Sequence, residues 1–354
     1  MFTLRQYLLA LLDSRGLTRT LGEIDVCRDE QGRPCFSAGN SAAVFRIRLG
    51  GRIRSLRCYL RPMRHLKEIY GQRLLEKELY LHTSPETGVW VDTVLGDWIE
   101  GSTLHETVAQ AAALRDRESL QILVRLFDRL ALALVTDDRA HGDLKPENII
   151  VGDDGTLCPI DFDASYLPAF AGEISPELGT AAYQHPARTA ANFDERIDDY
   201  PAALISTALH ALAENPTLWD RYGSSDGLLY TPQRIASDPA YRETLALFEK
   251  RGMAVQYRIP QLLTAPTLRL FGLAELLAEA VREKPAARSG TETETPELFV
   301  ENGRWGYRTA ERVVVAPLYD NGFDFTEGLA AVQLGGTWHY IDTCLLYTSP
   351  SPRD

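Results

Sequence analysis

The sequence has few cysteines, and their spacing predicts neither a disulfide framework nor a zinc site. No CxxC pair occurs, and no histidine lies at ligand spacing from any of the five: Cys27, Cys35, Cys58, Cys158 and Cys344. Disulfide-rich domains and structural zinc sites depend on close, repeated cysteine spacings. We therefore expect a protein of a reducing compartment, the cytoplasm.

Long apolar runs and an excess of positive charge are also absent. No run reaches the roughly 18–20 residues that a membrane span needs. The apolar stretch near the N-terminus lacks a cleavage site and is followed by Asp13 and Arg15, which favours an amphipathic helix over a signal peptide. The formal net charge is −12, whereas nucleic acids and anionic membranes attract clustered Lys and Arg. We expect neither as a partner.

The 354 residues are 45% hydrophobic and 24% charged, an ordinary globular composition that is long enough for two or three domains. Residues 20–61 contain short β-type runs, and residues 64–82 have helical character. The region from 117 to 283 is predicted to be mostly helical. Its first helix has apolar residues at helical spacing: Leu120, Leu123, Val124, Phe127, Leu130 and Leu134.

One segment, "AHGDLKPENIIVGDDGTLCPIDFDASY" at 140–166, crowds polar side chains between two apolar runs. Phosphoryl transfer needs a group that orients a hydroxyl, cations that neutralise phosphate charge, and ligands that hold a metal ion. Asp143 is the candidate base and Lys145 the candidate counter-charge. Asn148 and Asp161 offer the hard oxygen ligands that Mg²⁺ prefers.

"HGDLKPEN" followed by "IDFD" resembles the catalytic loop and metal-binding segment of eukaryotic-type Ser/Thr protein kinases. The resemblance implies that Asp143 and Lys145 are catalytic and that Asn148 and Asp161 hold the metal. His141 matches the family's loop histidine. The implied cofactors are ATP and Mg²⁺ or Mn²⁺, and the implied partner is a protein substrate.

The resemblance extends over about residues 30–283 and implies further roles. Gly39 falls in the phosphate loop, Arg57 at the family's strand lysine, and Ile99 at the hinge that meets adenine. Glu78, preferred over Glu76, would be the glutamate of the small-lobe helix. "GTAAYQHPAR" at 179–188 resembles the end of an activation segment. There Thr180 would help to position the acceptor residue, and Asp198 would support the catalytic loop.

Several positions depart from the family pattern, and they bear on activity. Arg57 keeps the lysine's charge but not its shape, so it either still pairs Glu78 and the ATP phosphates or weakens ATP binding. Asp163 replaces a glycine and is interpreted as a loop cap or an added metal ligand. Four further departures are found: Ser37 and Ala42 at loop glycines, Gly142 at an arginine, and Ala187 at a glutamate.

Beyond a polar linker, the C-terminal region resembles a WG repeat, a β-rich unit known mainly from bacterial proteins. Its marks are Trp305-Gly306, "APLYD", "GLAAV" and a second start at Trp338. The tryptophans are interpreted as core residues, and the region is expected to bind a peptide or protein ligand. The last residues, "CLLYTSPSPRD", resemble a translated sequencing adapter, which implies that the natural protein continues past Thr343.

The expected fold is α+β: a bilobal protein-kinase-like fold with a small antiparallel β lobe carrying one helix, a larger α-helical lobe and a C-terminal β-rich unit. The predicted divisions are an N-terminal helix (1–20), a kinase-like domain (21–284), a linker (285–297), a truncated WG-repeat region (298–343) and a foreign tail (344–354). Within the kinase-like domain, the lobes are expected at about 21–97 and 102–284.

The primary functional hypothesis is a protein kinase that transfers the γ-phosphate of Mg-ATP to a Ser/Thr hydroxyl. Two alternatives stay open. Arg57, the poor glycine loop and Asp163 are compatible with a catalytically weak pseudokinase scaffold. The "HGD" triplet also occurs in small-molecule phosphotransferases of the aminoglycoside-kinase type.

Overall fold

The computed structural model describes residues 1–152, 155–283, 296–301, 303–309, 313–325, 329–334, 337–342 and 347–350. In this part of the chain, an antiparallel sheet comes first, a mainly helical part follows, and further strands lie at the C-terminal end. This order agrees with the predicted α+β class. None of the described helices is both long enough and apolar enough to cross a membrane.

Six strands form the first sheet: β1 (Asp25–Val26), β2 (Phe36–Ala38), β3 (Ala42–Leu49), β4 (Arg52–Tyr59), β5 (Leu74–His82) and β6 (Gly88–Asp97). The strand order is β1-β3-β4-β6-β5, β2 pairs with the start of β3, and all pairs are antiparallel. In β3, Ala43, Phe45 and Ile47 are buried, whereas Arg46 and Arg48 lie on the more open face. This alternation is the period of two expected for a sheet with one covered face.

Helix α1 (Leu4–Leu12) covers the apolar face of the sheet. It begins with a capping box in which Thr3 and Gln6 satisfy each other's backbone N–H groups. Tyr7 is fully buried, and its hydroxyl donates to the carbonyl of Tyr59 at 2.6 Å. The contact fixes α1 against the end of β4.

The helical character predicted for residues 64–82 is largely wrong. Only α2 (Leu66–Tyr70) is helical, a 3₁₀ turn follows at Gly71–Arg73, and Leu74–His82 forms β5. Gly71 has a φ of +53°, which ends the helix. Beyond it, β5 pairs with β6 and buries Leu79 and Leu81 in the sheet core, so tertiary pairing outweighs helix propensity.

Glu78 lies on β5, not on a helix, and its buried carboxylate anchors the loop after α1. It accepts hydrogen bonds from the backbone N–H groups of Arg19 at 3.1 Å, Thr20 at 2.9 Å and Leu21 at 2.8 Å, and from the Thr20 hydroxyl at 2.6 Å. A buried carboxylate is stable when its lone pairs are filled in this way. Glu78 therefore holds the loop after α1.

The helical part contains α3 (Leu104–Leu114), α4 (Arg117–Thr136), α5 (Asp199–Glu214), α6 (Leu218–Tyr222), α7 (Pro239–Arg251), α8 (Ala254–Leu262) and α9 (Leu273–Arg282). A small antiparallel sheet joins it to the loops: β7 (Gly101–Thr103), β8 (Ile149–Gly152) and β9 (Leu157–Pro159). In α4 the predicted apolar face packs into the largest core cluster, with Leu120, Leu123, Val124 and Phe127 buried. Helix α5 is buried along almost its whole length and lies against α4.

The C-terminal strands are β10 (Glu297–Glu301), β11 (Arg304–Arg308), β12 (Val313–Tyr319), β13 (Asn321–Gly322), β14 (Leu329–Leu334), β15 (Thr337–Asp342) and β16 (Tyr347–Pro350). They form two antiparallel sheets, β10–β12 and β13–β16. Trp305 packs against a core that contains Tyr307 and Ile341, as predicted for a core tryptophan. The side chain of Trp338 and residues 285–295 of the predicted linker lie outside the described residues. β16, within the predicted tail, pairs with β15.

Replacing Glu78 with Gln should destabilise the protein by about 2 kcal/mol, because charge-assisted hydrogen bonds to buried N–H groups are lost. Glu76→Gln is the matched control, since Glu76 is exposed on the same strand. Urea unfolding measures both. Equal stability of the two variants would contradict the anchoring role of Glu78.

Candidate active site

A buried aspartate holds the loop between α4 and β8. Asp198, just before α5, accepts hydrogen bonds from the backbone N–H groups of His141 and Gly142, the second at 3.0 Å. Burial raises the pKa of Asp198, although His141 and the two backbone N–H groups oppose the shift. The sequence resemblance implied this supporting contact.

Gly142 explains one departure from the family pattern. Its φ is +81°, and a Cβ there would lie 2.0 Å from the carbonyl oxygen of Ala164. No side chain fits at this distance. The arginine of the family pattern is therefore excluded at this position by the close approach of the loop to residues 162–164.

The loop gathers the predicted catalytic side chains. Asn148 donates from Nδ2 to the carbonyl of Asp143 at 2.9 Å and to its Oδ2 at 3.2 Å. Lys145 Nζ lies 3.4 Å from Asp143 Oδ2 and donates to Thr180 Oγ1 at 2.9 Å. Asp143 Oδ1 accepts from the Thr180 N–H at 2.5 Å. Residues 143, 145, 148 and 180 thus form one hydrogen-bonded group.

The same group reaches the segment that carries Asp161. The carbonyl of Asn148 accepts from the N–H of Ile160 at 2.9 Å, and His141 Nε2 contacts the Ile160 carbonyl at 2.7 Å. Asp161 follows with a left-handed backbone, φ +66°, and starts the 3₁₀ turn Phe162–Ala164. Its side chain is 41% exposed, so the carboxylate remains open to a ligand.

Arg57 crosses from β4 to this segment. Its guanidinium contacts Asp161, and its Nη2 and Nε donate to Asp163 Oδ2 at 2.7 and 3.0 Å. Burial lowers the pKa of Arg57, but the neighbouring carboxylates and tyrosines outweigh burial and raise the pKa overall. Arg57 therefore stays charged and links the first sheet to the loop.

Asp163, and not Glu78, is the buried carboxylate that pairs with Arg57. Its side chain is 3% exposed, and Oδ1 accepts from the hydroxyls of Tyr59 at 3.0 Å and Tyr70 at 2.6 Å. Burial, followed by the neighbouring Tyr70 and then by the charge of Asp163, raises the pKa of Tyr59, so its hydroxyl stays a donor. Arg57 does not form the pair with Glu78 that the sequence left open as one of two outcomes, because the Glu78 carboxylate is engaged by the backbone N–H groups of residues 19–21.

Tyr59 and Tyr70 are site residues that sequence reasoning missed. A signal for Tyr59 existed: residues two apart in a strand share a face, so Tyr59 lies on the same face of β4 as Arg57. Tyr70 carries no comparable local signal, because it comes from α2 and reaches Asp163 only through the tertiary fold.

Within the described part of the chain, neither Gly39 nor Ile99 forms a hydrogen bond with the side chains of the candidate site. Gly39 lies in the turn between β2 and β3, where its N–H donates to the Ala42 carbonyl at 2.9 Å. Its φ is not in the left-handed region. Ile99 is half-buried in the connection from β6 to β7. Their nucleotide-binding roles stay predictions.

The donor set for a cation is small but chemically suitable. Among the described residues, no group of three or more His, Cys, Asp or Glu side chains is arranged to hold a metal ion. Asn148 uses its amide nitrogen towards Asp143, which leaves its oxygen for a cation, and Asp161 adds a partly exposed carboxylate. An ion with several water or phosphate ligands, such as Mg²⁺, fits a set of two protein oxygens.

A double-mutant cycle should detect the Arg57–Asp163 pair. Asp163→Asn alone should cost about 3 kcal/mol in the free energy of unfolding, because it leaves a buried guanidinium undercompensated. Combined with Arg57→Met, it should show a coupling energy of about 2 kcal/mol. Arg57→Met and Glu78→Gln should be additive within about 0.5 kcal/mol. Coupling to Glu78, with none to Asp163, would contradict the observed pairing.

Asp199, beside Asp198, should make stability depend on pH. Burial raises its pKa to about 7, against about 3.9 in an unfolded chain. The folded state then retains a proton that the unfolded state releases, so this contribution is fully present below about pH 4 and is lost as the pH rises to about 7. Asp199→Asn removes the effect and should stabilise the protein above pH 7 by up to about 4 kcal/mol.

Unfolding curves of wild type and Asp199→Asn across this pH range measure the difference, with the exposed Asp226→Asn as control. A stability difference between Asp199→Asn and wild type that does not change with pH would refute the assignment.

Comparison with known proteins bears on both ends of the chain. A family model described as "WG containing repeat" matches residues 308–338. This match begins just after the predicted Trp305-Gly306 mark and ends at Trp338. It supports the predicted repeat in this segment.

Two curated relatives are protein kinases. The chain is 28% identical over 172 residues to CBL-interacting protein kinase 17 of Oryza sativa subsp. japonica. The aligned region covers 46% of this chain and 35% of that protein. The chain is 34% identical over 113 residues to the serine/threonine-protein kinase PknL of Mycobacterium tuberculosis (strain CDC 1551 / Oshkosh), which covers 30% and 27%. The chain spans about a third of the length of these relatives. It is similar to Ser/Thr protein kinases over part of its length and carries a WG-repeat match near its C-terminal end.

Proposed function

We propose that this chain is an ATP-dependent protein kinase that transfers the γ-phosphate of Mg-ATP to a Ser or Thr hydroxyl. The observation that carries the proposal is the convergence of Arg57, Asp143 and Asp161 between the first sheet and the helical part. The partial similarity to two protein kinases supports it. On this proposal, the first sheet with α1 and α2 is the small lobe of a bilobal kinase fold, and α3–α9 belong to the large lobe.

Asp143 and Lys145 carry the proton and charge changes of the reaction. The acceptor hydroxyl donates its proton to Asp143 as its oxygen forms a bond to the γ-phosphorus, and the bond from that phosphorus to the β–γ bridging oxygen breaks and releases ADP. Lys145, held between Asp143 and Thr180, balances the charge on the transferring group. The contact of Asp143 with the Thr180 N–H fixes the carboxylate for this task.

Asn148 and Asp161 would hold Mg²⁺ or Mn²⁺, which supplies charge neutralisation of the triphosphate. The surrounding charges suit this role. Arg57 contributes one positive charge against the two carboxylates of Asp161 and Asp163, so the cluster keeps a net negative charge for a divalent cation. The hydrogen bonds of Arg57 within the described residues run from Nε and Nη2, and we assign Nη1 to a phosphate oxygen.

The WG-repeat region would bind a peptide or protein partner. The match at 308–338 and the antiparallel sheets β10–β12 and β13–β16 support a β-rich unit there. Because stacked repeats bury a continuous core and present extended surfaces, they are suited to peptide or protein ligands. We place the kinase in the bacterial cytoplasm, where ATP and protein substrates are available.

A second candidate function, a non-catalytic kinase-like scaffold, draws on one specific observation. Arg57 contacts Asp161, the carboxylate that the catalytic proposal assigns to the metal. A guanidinium that keeps this carboxylate would compete with a divalent cation. The two functions differ in whether phosphate is transferred.

Incubation of the full chain with γ-labelled ATP and Mg²⁺ or Mn²⁺ tests the proposal. Label should enter the chain itself or a general protein substrate, and phosphoamino-acid analysis should identify phosphoserine or phosphothreonine. Asp143→Asn should lower the rate by about a hundredfold or more, because the catalytic base is lost.

No label above the Asp143→Asn background would refute the kinase. If Mg-ATP still raised the unfolding temperature, the scaffold would be favoured. Label that appears only on an added aminoglycoside would favour the small-molecule phosphotransferase.

A further inference from the structure

A small cavity lies beside the candidate active site and separate from it. Its volume is about 110 Å³, and it is lined by side chains from the segment 184–200 together with Leu268 and Arg269. The volume is several times the roughly 30 Å³ that one water molecule occupies in the liquid, so it accommodates one small oxyanion. Neither Arg57 nor Asp161 lines it.

Arg188 is the central charged group of this cavity. Its side chain is buried, with 9% of the residue exposed, and Nη1 donates to the Gly142 carbonyl at 3.0 Å and contacts Gln184 Oε1. Its Nε and Nη2 are buried and meet no hydrogen-bond acceptor within the described residues. A buried N–H without an acceptor costs about 1–3 kcal/mol, and more when it is charged. The guanidinium is therefore built for an additional acceptor.

Other lining side chains also present unused hydrogen-bonding groups. Arg196 Nε, Gln184 Nε2 and the Tyr200 hydroxyl are buried without a hydrogen-bond partner in the described part of the chain, and the nearest carboxylate to Arg196 Nε is that of Glu195, at 3.8 Å. All three can donate a hydrogen bond. Together with Arg188, four lining side chains therefore have hydrogen-bond donors that are free for a ligand. A ligand that only accepts hydrogen bonds fits them best, and an oxyanion has this character.

The charge of the lining agrees with this character. Three arginines line the cavity, Arg188, Arg196 and Arg269, against the carboxylates of Asp194 and Glu195, and His185 adds a titratable ring. Glu195 is 3.8 Å from Arg196, and Asp194 accepts from the Arg196 backbone N–H at 2.9 Å. The guanidinium of Arg269 lies over the Phe271 ring, and its charge acts on the buried carboxylate of Asp199. The lining carries a net positive charge.

We propose that this cavity is a binding site for a phosphate-type oxyanion, held by Arg188 with Arg196 and Gln184 and attracted by Arg269 at its exposed side. Because Arg188 also holds the Gly142 carbonyl, the bound oxyanion fixes the residue that precedes Asp143. The site thereby connects anion binding to the loop of the candidate active site. Binding itself does not depend on the proposed phosphotransfer.

Calorimetric titration of the full chain, without nucleotide or divalent metal, tests the site with two probes. These are inorganic phosphate and O-phosphoserine, each compared with sodium chloride at equal ionic strength. Saturable binding of both probes assigns a site open to phosphate monoesters, and binding of inorganic phosphate alone assigns a site for the free ion. Arg188→Lys should weaken binding by about tenfold, because it loses the paired N–H donors.

Arg269→Gln provides a second variant, at an exposed residue whose replacement spares the core, and should weaken binding by about fivefold. Arg258→Gln, at an exposed arginine outside the cavity, should bind as wild type does. Arg57→Gln should also leave binding unchanged, which separates this site from the candidate ATP site.

The proposal is overturned if phosphate binds no better than chloride, which would leave the cavity to water molecules. It is also overturned if Arg188→Lys and Arg269→Gln bind phosphate as tightly as wild type, or if Arg258→Gln weakens binding as much as they do.

Discussion

The ion pair between Arg57 and Asp163 is the interaction on which the candidate site depends. It joins β4 of the first sheet to the turn after Asp161. Arg57 donates to one oxygen of the Asp163 carboxylate, and two tyrosine hydroxyls donate to the other. A guanidinium that is this deeply buried needs a fixed counter-charge, because an unpaired buried charge costs on the order of several kcal/mol of stability. Without Asp163, Arg57 would have only the exposed Asp161, and the link between sheet and loop would loosen.

A second set of contacts gives the loop its shape from the opposite side. Asp198 holds the backbone of His141 and Gly142 from the start of α5, and Arg188 holds the Gly142 carbonyl. The backbone that precedes Asp143 is thus held by a buried carboxylate, Asp198, and a buried guanidinium, Arg188. The candidate active site lies where this rigid loop meets the arginine that comes from the sheet, and the basic cavity lies behind it.

The arrangement of the loop around Asp143 could be predicted from the sequence, but the Arg57–Asp163 ion pair that reaches it from the sheet could not. Asp143, Lys145 and Asn148 lie within six residues, so their hydrogen-bonded arrangement is encoded locally. Arg57 and Asp163 are 106 positions apart, and neither residue's neighbours indicate the other. Glu78 was misassigned because "LLEKELYL" contains strong helix formers, while pairing with β6 makes it a strand. The local signal that could have shown the end of the helix is the glycine at position 71, which adopts a positive φ there.

Direct calorimetric titration of Mg-ATP into the full chain tests the central claim, that an arginine held by Asp163 presents positive charge to nucleotide bound at Asp161. The account predicts saturable binding to one site that requires Mg²⁺ and weakens by about tenfold or more in Arg57→Gln, the loss expected when a charged partner of a phosphate is removed. Equal affinity of wild type and Arg57→Gln for Mg-ATP, or no binding by either, would contradict it.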